Sequence, residues 1–293
     1  MNLPTRLLAR HHGREVHGLS LGQGEPATVL LTGLGVPAGW WHALGNDEVD
    51  VAGLLHSPPW NGRPYLGPLL AASGQVISYD RAGLGESGPL TAPRDLNDFV
   101  EELEAVLVSA GVTWPVRLVG HSIGGVIALE YARRRPERVA GLVLLDSSHP
   151  DQLARFAAVA GPDELEAGAE DRRQMTLHHP ERPDLESLLG QGPLRAGELG
   201  ELPLLVVSRT VSPFAVPATD EAATDEAAAS RLAEQREEVW QLLQADLATL
   251  SARAVHLRLA GSRHYVHLDQ PEWVARAILQ QAGAAASSDA GVF

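Results

Sequence analysis

Val119-Gly120-His121-Ser122-Ile123-Gly124-Gly125 is the stretch whose reading decides the fold. A short apolar run, Val116 to Val119, leads into it, and a helical pattern, Val126 to Arg134, leads out. A strand that passes straight into a helix through Gly-x-Ser-x-Gly is the nucleophile-elbow pattern. A serine on so sharp a turn has a strained backbone, and Gly120 and Gly124 remove Cβ atoms that would clash there. The Ser122 hydroxyl then stands clear of the backbone at a helix N-terminus, where free N–H groups and partial positive charge can meet an oxyanion. The pentapeptide also arises by chance in glycine-rich chains, so its meaning depends on what surrounds it.

Upstream, residues 1–10 read as a loosely held lead-in, and Arg14 to Leu21 with the turn cluster Gly22–Pro26 suggests a first hairpin. Thr28 to Thr32 is a short buried strand followed by Gly33-Leu34-Gly35-Val36-Pro37, which is either a tight turn or a backbone that approaches something closely. Residues 38–68 form a long excursion rich in Trp, Gly and Pro. Its Trp40, Trp41 and Trp60 either line a substrate pocket or anchor the loop by packing. Gln75 to Asp80 is the next strand and runs into Asp80-Arg81-Ala82-Gly83-Leu84-Gly85-Glu86-Ser87-Gly88. Asp95 caps a helix whose apolar stripe is Leu96, Phe99, Val100, Leu103, Val106 and Leu107.

Downstream, Val139 to Leu145 is a continuous apolar strand with Asp146 at its end. Residues 147–200 turn polar and Pro/Gly-punctuated, the natural place for a cap. Leu204 to Ser208 resumes the strands, a long helix spans about Ala228 to Leu250, and Val255 to Leu259 is the last strand. The loop Gly261 to Asp269 follows, Pro271 opens a final helix to about Gln281, and residues 283–293 read as a flexible tail. The domain plan is a core of residues 14–146 and 201–282 with a cap at 147–200.

The chain has 293 residues, with 23 basic against 37 acidic side chains and a net charge of −14. Every basic residue is arginine, a compositional bias without chemical meaning. The acidity argues against nucleic acid and anionic membranes as partners. With no cysteine, disulfides, thiolate metal sites and a cysteine nucleophile are excluded. No signal-like segment or membrane-length apolar run occurs, so the expected location is the cytoplasm.

Strands alternating with helices imply an α/β architecture, a mostly parallel sheet covered on both faces, with functional groups beyond the C-terminal strand ends. Five segments in order carry a closer likeness. They are Gly33-Leu34-Gly35, Tyr79 to Ser87, Gly120 to Gly125, Arg138 to Asp146, and Gly261-Ser262-Arg263-His264 ahead of Asp269-Gln270-Pro271-Glu272. From about residue 14 to 282 the chain resembles the α/β-hydrolase fold superfamily, in its serine esterase-like branch.

The resemblance implies Ser122 as nucleophile and His264 as general base, with His256 and His267 as nearby histidines outside the motif position. It implies oxyanion donors at the backbone N–H of Ile123 and of Leu34, with Gly35 an alternative, because Thr32-Gly33 stands where many relatives have His-Gly. His121 reads as structural. The triad acid is less direct. The loop after Ser208 holds no carboxylate before Asp220, whereas Asp146 occupies the place used by a variant of the fold that carries the acid on the preceding strand. Asp146 and Asp220 both stay open, with Asp146 favoured. The expected activity is hydrolysis of a carboxylic ester or related acyl compound through an acyl-enzyme, with no cofactor or metal, on a small-molecule substrate, by a monomer or homodimer. Carbon–carbon bond hydrolysis or perhydrolysis with the same serine is the alternative chemistry, and a degenerate ligand-binding protein the alternative class.

Overall fold

A computed structural model describes residues 4–42, 64–213 and 223–289 of the chain. The chain opens on an antiparallel hairpin, Thr5–His11 (β1) and Arg14–Leu21 (β2), joined by the two-residue turn His12-Gly13. The sequence reading placed this hairpin one strand later and left residues 1–10 as lead-in; the core begins at Thr5. Both turn residues have positive φ, 48° and 75°. That geometry matches the twist of a tight antiparallel pair. A histidine in the first position is not a standard turn signal, which hid the hairpin.

Thr28–Leu31 (β3), Val76–Tyr79 (β4), Val116–His121 (β5), Val139–Leu145 (β6), Leu204–Arg209 (β7) and Ala254–Leu259 (β8) complete an eight-stranded sheet among the described residues, ordered β1-β2-β4-β3-β5-β6-β7-β8. β2 meets β4 antiparallel, and every contact from β4 through β8 is parallel. Parallel neighbours need crossover connections, and helices supply them. In chain order the crossover helices are Leu66–Ala71 (α1), Leu96–Ser109 (α2), Ile123–Arg134 (α3), Gln152–Ala157 (α4), Pro162–His178 (α5), Leu185–Leu189 (α6) and Ala223–Leu247 (α7), and Val266–Asp269 (α8) and Pro271–Asp289 (α9) follow the last strand. The last helix passes Gln281, so the expected tail is helical as far as Asp289.

The period-two alternation of strand side chains divides the apolar runs between two cores. Leu31, Leu118, Leu142, Leu144 and Val206 pack with residues of α2 and α3. Leu30, Val119, Val143, Leu145 and Val207 pack on the other side with α1, α8 and α9. The predicted stripe of α2, from Leu96 to Leu107, is buried in the first core, and Asp95 and Asp98 close a capping box at its start. Within residues 147–200 the parts differ. No residue of α5 is buried, but Leu188 and Leu189 of α6 join the main core. Among the described residues no helix is long and apolar enough to cross a membrane.

Leu144 is fully buried in β6, two residues before Asp146. Leu144→Ala is expected to lower unfolding free energy by about 2–5 kcal/mol, transfer and cavity terms together. Urea denaturation followed by circular dichroism checks this.

Candidate active site

Ser122 joins β5 to α3 with φ 52° and ψ −125°, a conformation that costs a non-glycine residue about 1–3 kcal/mol. The glycines around it are spaced by contact. A Cβ on Gly120 would lie 2.5 Å from Gly124 O and Gly125 Cα, and one on Gly124 would lie 2.5 Å from Leu31 O. A Cβ on Gly125 would fall 2.0 Å from Ser147 Oγ, so the second glycine of the pair lets the start of α3 close on the segment after β6. The Ser122 side chain caps nothing, which leaves its hydroxyl uncommitted to the helix. Ile123 is the first residue of α3, and its N–H has no acceptor within the helix.

His264 lies in the loop between β8 and α8. Its Nδ1 is 2.7 Å from Asp146 Oδ2. Asp146 follows β6, is fully buried, and has φ 39°. Its Oδ1 accepts from the Arg209 N–H at 3.2 Å and the Trp240 indole N–H at 2.9 Å, and the Arg209 guanidinium lies 3.3 Å from Oδ2. Arg209 is held in turn by two bonds to Glu237, 2.8 and 2.7 Å. Asp146, the carboxylate favoured from the sequence, is set against His264. Asp220 lies outside the described residues. Among the described residues no hydrogen bond joins Ser122 Oγ to His264. Such contacts are often long before substrate arrives.

One ring from the end of β5 packs against three rings of the His264 segment. His121 lies with its ring centroid 4.6 Å from His264, 4.9 Å from Tyr265 and 4.7 Å from His267. Its Nε2–H donates to the His264 carbonyl at 3.0 Å. Burial holds the His121 ring well below the ordinary imidazole pKa, with His264 and His267 adding to the effect, so it is neutral. His267 is buried against Trp41 at 4.3 Å, and burial lowers its pKa to about 3. Asp269 ties the loop shut through the Arg263 N–H and guanidinium, both at 2.6 Å. His256 stays in β8, bonded to Ser208 Oγ at 2.9 Å.

The loop after β3 lies against the elbow. A Cβ on Gly33 would be 3.3 Å from Ser122 Cβ and 3.2 Å from His121 Nδ1. The Gly35 N–H already donates to Glu181 Oε1 at 2.6 Å. Of the two N–H groups the sequence offered in this loop, Leu34 and Gly35, the second is therefore committed elsewhere. The tryptophans divide. Trp41 is fully buried in the second core and lies against His267. Trp40 packs with Val36, Leu268 and Tyr265, and also borders a cavity of about 490 Å³ with Pro37, Leu19 and Asp80. Trp60 lies outside the described residues.

A family model described as alpha/beta hydrolase fold matches residues 45–242. The chain belongs to the α/β-hydrolase fold family. The uncharacterized protein YqjL of Bacillus subtilis is similar, 31% identical over 203 residues that cover 69% of this chain and 71% of YqjL. A putative carbamate hydrolase RutD of Azorhizobium caulinodans is 35% identical over 132 residues, 45% of this chain and 39% of its own. Among solved structures, the serine hydrolase CarC of carbazole degradation superposes with TM-score 0.61 at 16% identity, covering 96% of this chain and 100% of CarC. The enol-lactonase from Burkholderia xenovorans superposes with TM-score 0.59 at 17% identity, covering 94% and 99%. At these identities the superpositions speak for the fold.

Trp240, Arg209 and Glu181 are the parts of this α/β-hydrolase site that sequence reasoning missed. Each reaches it from far along the chain, and no local pattern announces them. Away from the site, His11, His12 and Glu101 bring possible ligand atoms within 4.8 Å of one another, on the first hairpin and the exposed side of α2. β1 is the sheet edge opposite β8, so this group has no part in the geometry around Ser122.

His267 supplies a pH prediction. Its pKa is about 3 when folded, against about 6.5 when exposed. Between those values the unfolded state binds the extra proton. Stability therefore falls as pH drops through that window and is insensitive to this group above about 6.5. His267→Phe is expected to make the fall shallower by about 1.4 kcal/mol per pH unit. Denaturant titrations from pH 7 down to 4 check the slope.

Proposed function

We propose that the chain is a serine hydrolase of carboxylic esters or closely related acyl compounds. The observation that carries this is the 2.7 Å contact between His264 Nδ1 and buried Asp146, in the loop that His121 stacks beside the strained Ser122. With Nδ1–H donated to the carboxylate, Nε2 keeps its lone pair for the serine proton. Ser122 Oγ attacks the acyl carbon as that proton passes to His264, and the carbonyl oxygen becomes an oxyanion facing the N–H groups of Ile123 and Leu34. His264 then gives the proton to the leaving oxygen, releasing alcohol and leaving the acyl group on Ser122. Water attacks the acyl-enzyme with His264 again as base, and acid and free serine result.

The family supports hydrolytic chemistry, and the RutD proteins are described as putative hydrolases of carbamates, whose carbonyl presents the same acyl centre. Trp40 is kept as a pocket residue because its ring lies 5.4 Å from that of Tyr265, the neighbour of His264; the cavity it borders on its other side includes neither Ser122 nor His264. The reading takes a small-molecule substrate, needs no cofactor or metal, and has the enzyme act in the cytoplasm as a monomer or homodimer. A non-catalytic binding role drew on the lack of a carboxylate after β7; the contact between Asp146 and His264 supports the enzymatic reading instead.

Hydrolysis of a chromogenic short-chain ester tests the reading. Asp146→Asn is expected to lose activity on the order of 1,000- to 10,000-fold. Ser122→Ala should reduce it to background, and Asp220→Asn should leave it unchanged. Full activity in Asp146→Asn would refute the assignment of the acid.

A further inference from the structure

The Asp80-Arg81-Ala82-Gly83 turn has no role in the reaction as described, yet Arg81 is among the most buried side chains of the chain, 1% exposed. Its guanidinium spends every edge on three residues, Thr32, Gly33 and Glu181. Nη1 donates to Thr32 O at 2.7 Å, and Nη2 donates to Gly33 O at 2.6 Å. Nε and Nη2 donate to the Glu181 carboxylate at 2.5 and 3.1 Å. Glu181 is also fully buried, and its Oε1 takes the Gly35 N–H at 2.6 Å. Two consecutive carbonyls and one N–H of the loop Thr32–Gly35 are thus fixed by one ion pair.

In a trans peptide the carbonyl and the N–H of the same unit point in opposite directions. The Gly33 carbonyl and the Leu34 N–H belong to one unit. Because the carbonyl is pulled onto Arg81, the Leu34 N–H must face away from it. At Gly35 the opposite constraint holds, since its N–H is drawn to Glu181. The loop has a glycine on each side of Leu34, and glycine permits a peptide flip that would reverse both choices.

From this we infer that Arg81 and Glu181 are positioning residues that set the direction of the Leu34 N–H, and so build the second half of the oxyanion hole. The inference rests on the serine-hydrolase reading above. It supplies for the Thr32-Gly33 loop an external clamp. Stability does not explain the pair. A buried ion pair is often no better than an apolar pair of similar volume, because desolvation cancels the attraction. An apolar pair could not satisfy two carbonyls and an N–H.

Glu181 comes from the segment between β6 and β7, so that segment takes part in forming the hole. Its backbone is pinned independently of the carboxylate. Arg94 exchanges hydrogen bonds with Arg182 O and the Asp184 N–H at 2.9 and 2.7 Å, and Gly83 sits under Pro180 so closely that a Cβ there would lie 2.2 Å from its carbonyl oxygen. Neutralising Glu181 therefore acts on the loop, not on the docking of the segment.

The test compares wild type, Arg81→Lys and Glu181→Gln. Lysine keeps the charge but cannot reach two carbonyls and a carboxylate together. Glutamine keeps the shape and removes the charge that holds Arg81. Both are expected to lose kcat, Arg81→Lys by about 100-fold and Glu181→Gln by about 10-fold, with KM changed less than about 3-fold. Affinity for an alkyl boronic acid, which forms a tetrahedral adduct with an oxyanion-like oxygen, should fall in parallel with kcat, while affinity for the product carboxylic acid should not. Glu181→Gln is the near-isosteric variant that remains readable should Arg81→Lys not fold. Normal kcat and boronate affinity in a folded variant, with only a lower Tm, would overturn the inference and leave the serine reading intact. A wild-type protein that neither hydrolyses esters nor binds boronate would overturn both.

Discussion

A carboxylate with no exposure to water has to be met by donors on all sides, and Asp146 is met from three elements besides its own. The end of β7 supplies the Arg209 N–H and guanidinium, α7 supplies the Trp240 indole, and the β8–α8 loop supplies His264. An uncompensated buried charge would cost several kcal/mol, so these elements cannot move apart without that penalty. The register of the C-terminal half of the sheet, the approach of α7 and the position of the histidine loop are thereby coupled. β6 places the carboxylate, and the parallel pairing of β6 with β7 brings the Arg209 N–H to it.

Around this anchor the site is made of neutral, closely packed groups. His121 and His267 are both held uncharged by burial, so the rings beside His264 do not compete with it for a proton. Of the four non-glycine residues with positive φ among the described residues, two, Ser122 and Asp146, head adjacent strand ends at the site. Both are fixed by backbone bonds from neighbours. The Ser122 carbonyl accepts from the Gly125 and Ser148 N–H groups, each at 3.0 Å, and the Asp146 N–H donates to Val207 at 2.7 Å. On the far side of Ser122 the Arg81–Glu181 pair fixes the loop after β3. The serine thus lies between two buried charged assemblies, one holding the imidazole and the other holding backbone amides.

Much of this was legible before any coordinates. The five inner strands read as apolar runs because parallel strands are covered on both faces, and Gly120, Ser122 and Gly124 identified the turn because its sterics permit few other residues. Asp146 and His264 were nameable because each ends or follows a strand at a fixed place in the chain order. What could not be read were partners that meet only through folding. Trp240 sits in a helix where an indole is unremarked, and Glu181 sits in a polar segment where a carboxylate is ordinary. The first hairpin escaped for a local reason, since His12 adopts a turn conformation its side chain does not advertise. Trp41 reads the same in sequence whether it lines a pocket or fills a core.

The central claim is that Ser122 is made nucleophilic by the groups gathered behind it. The most direct measurement is peptide mass spectrometry after reaction with a fluorophosphonate. The expected result is a single stoichiometric adduct on the peptide containing Ser122, absent in Ser122→Ala and formed far more slowly in His264→Ala. No adduct on the folded wild-type protein, or equal labelling of Ser122→Ala, would contradict the account.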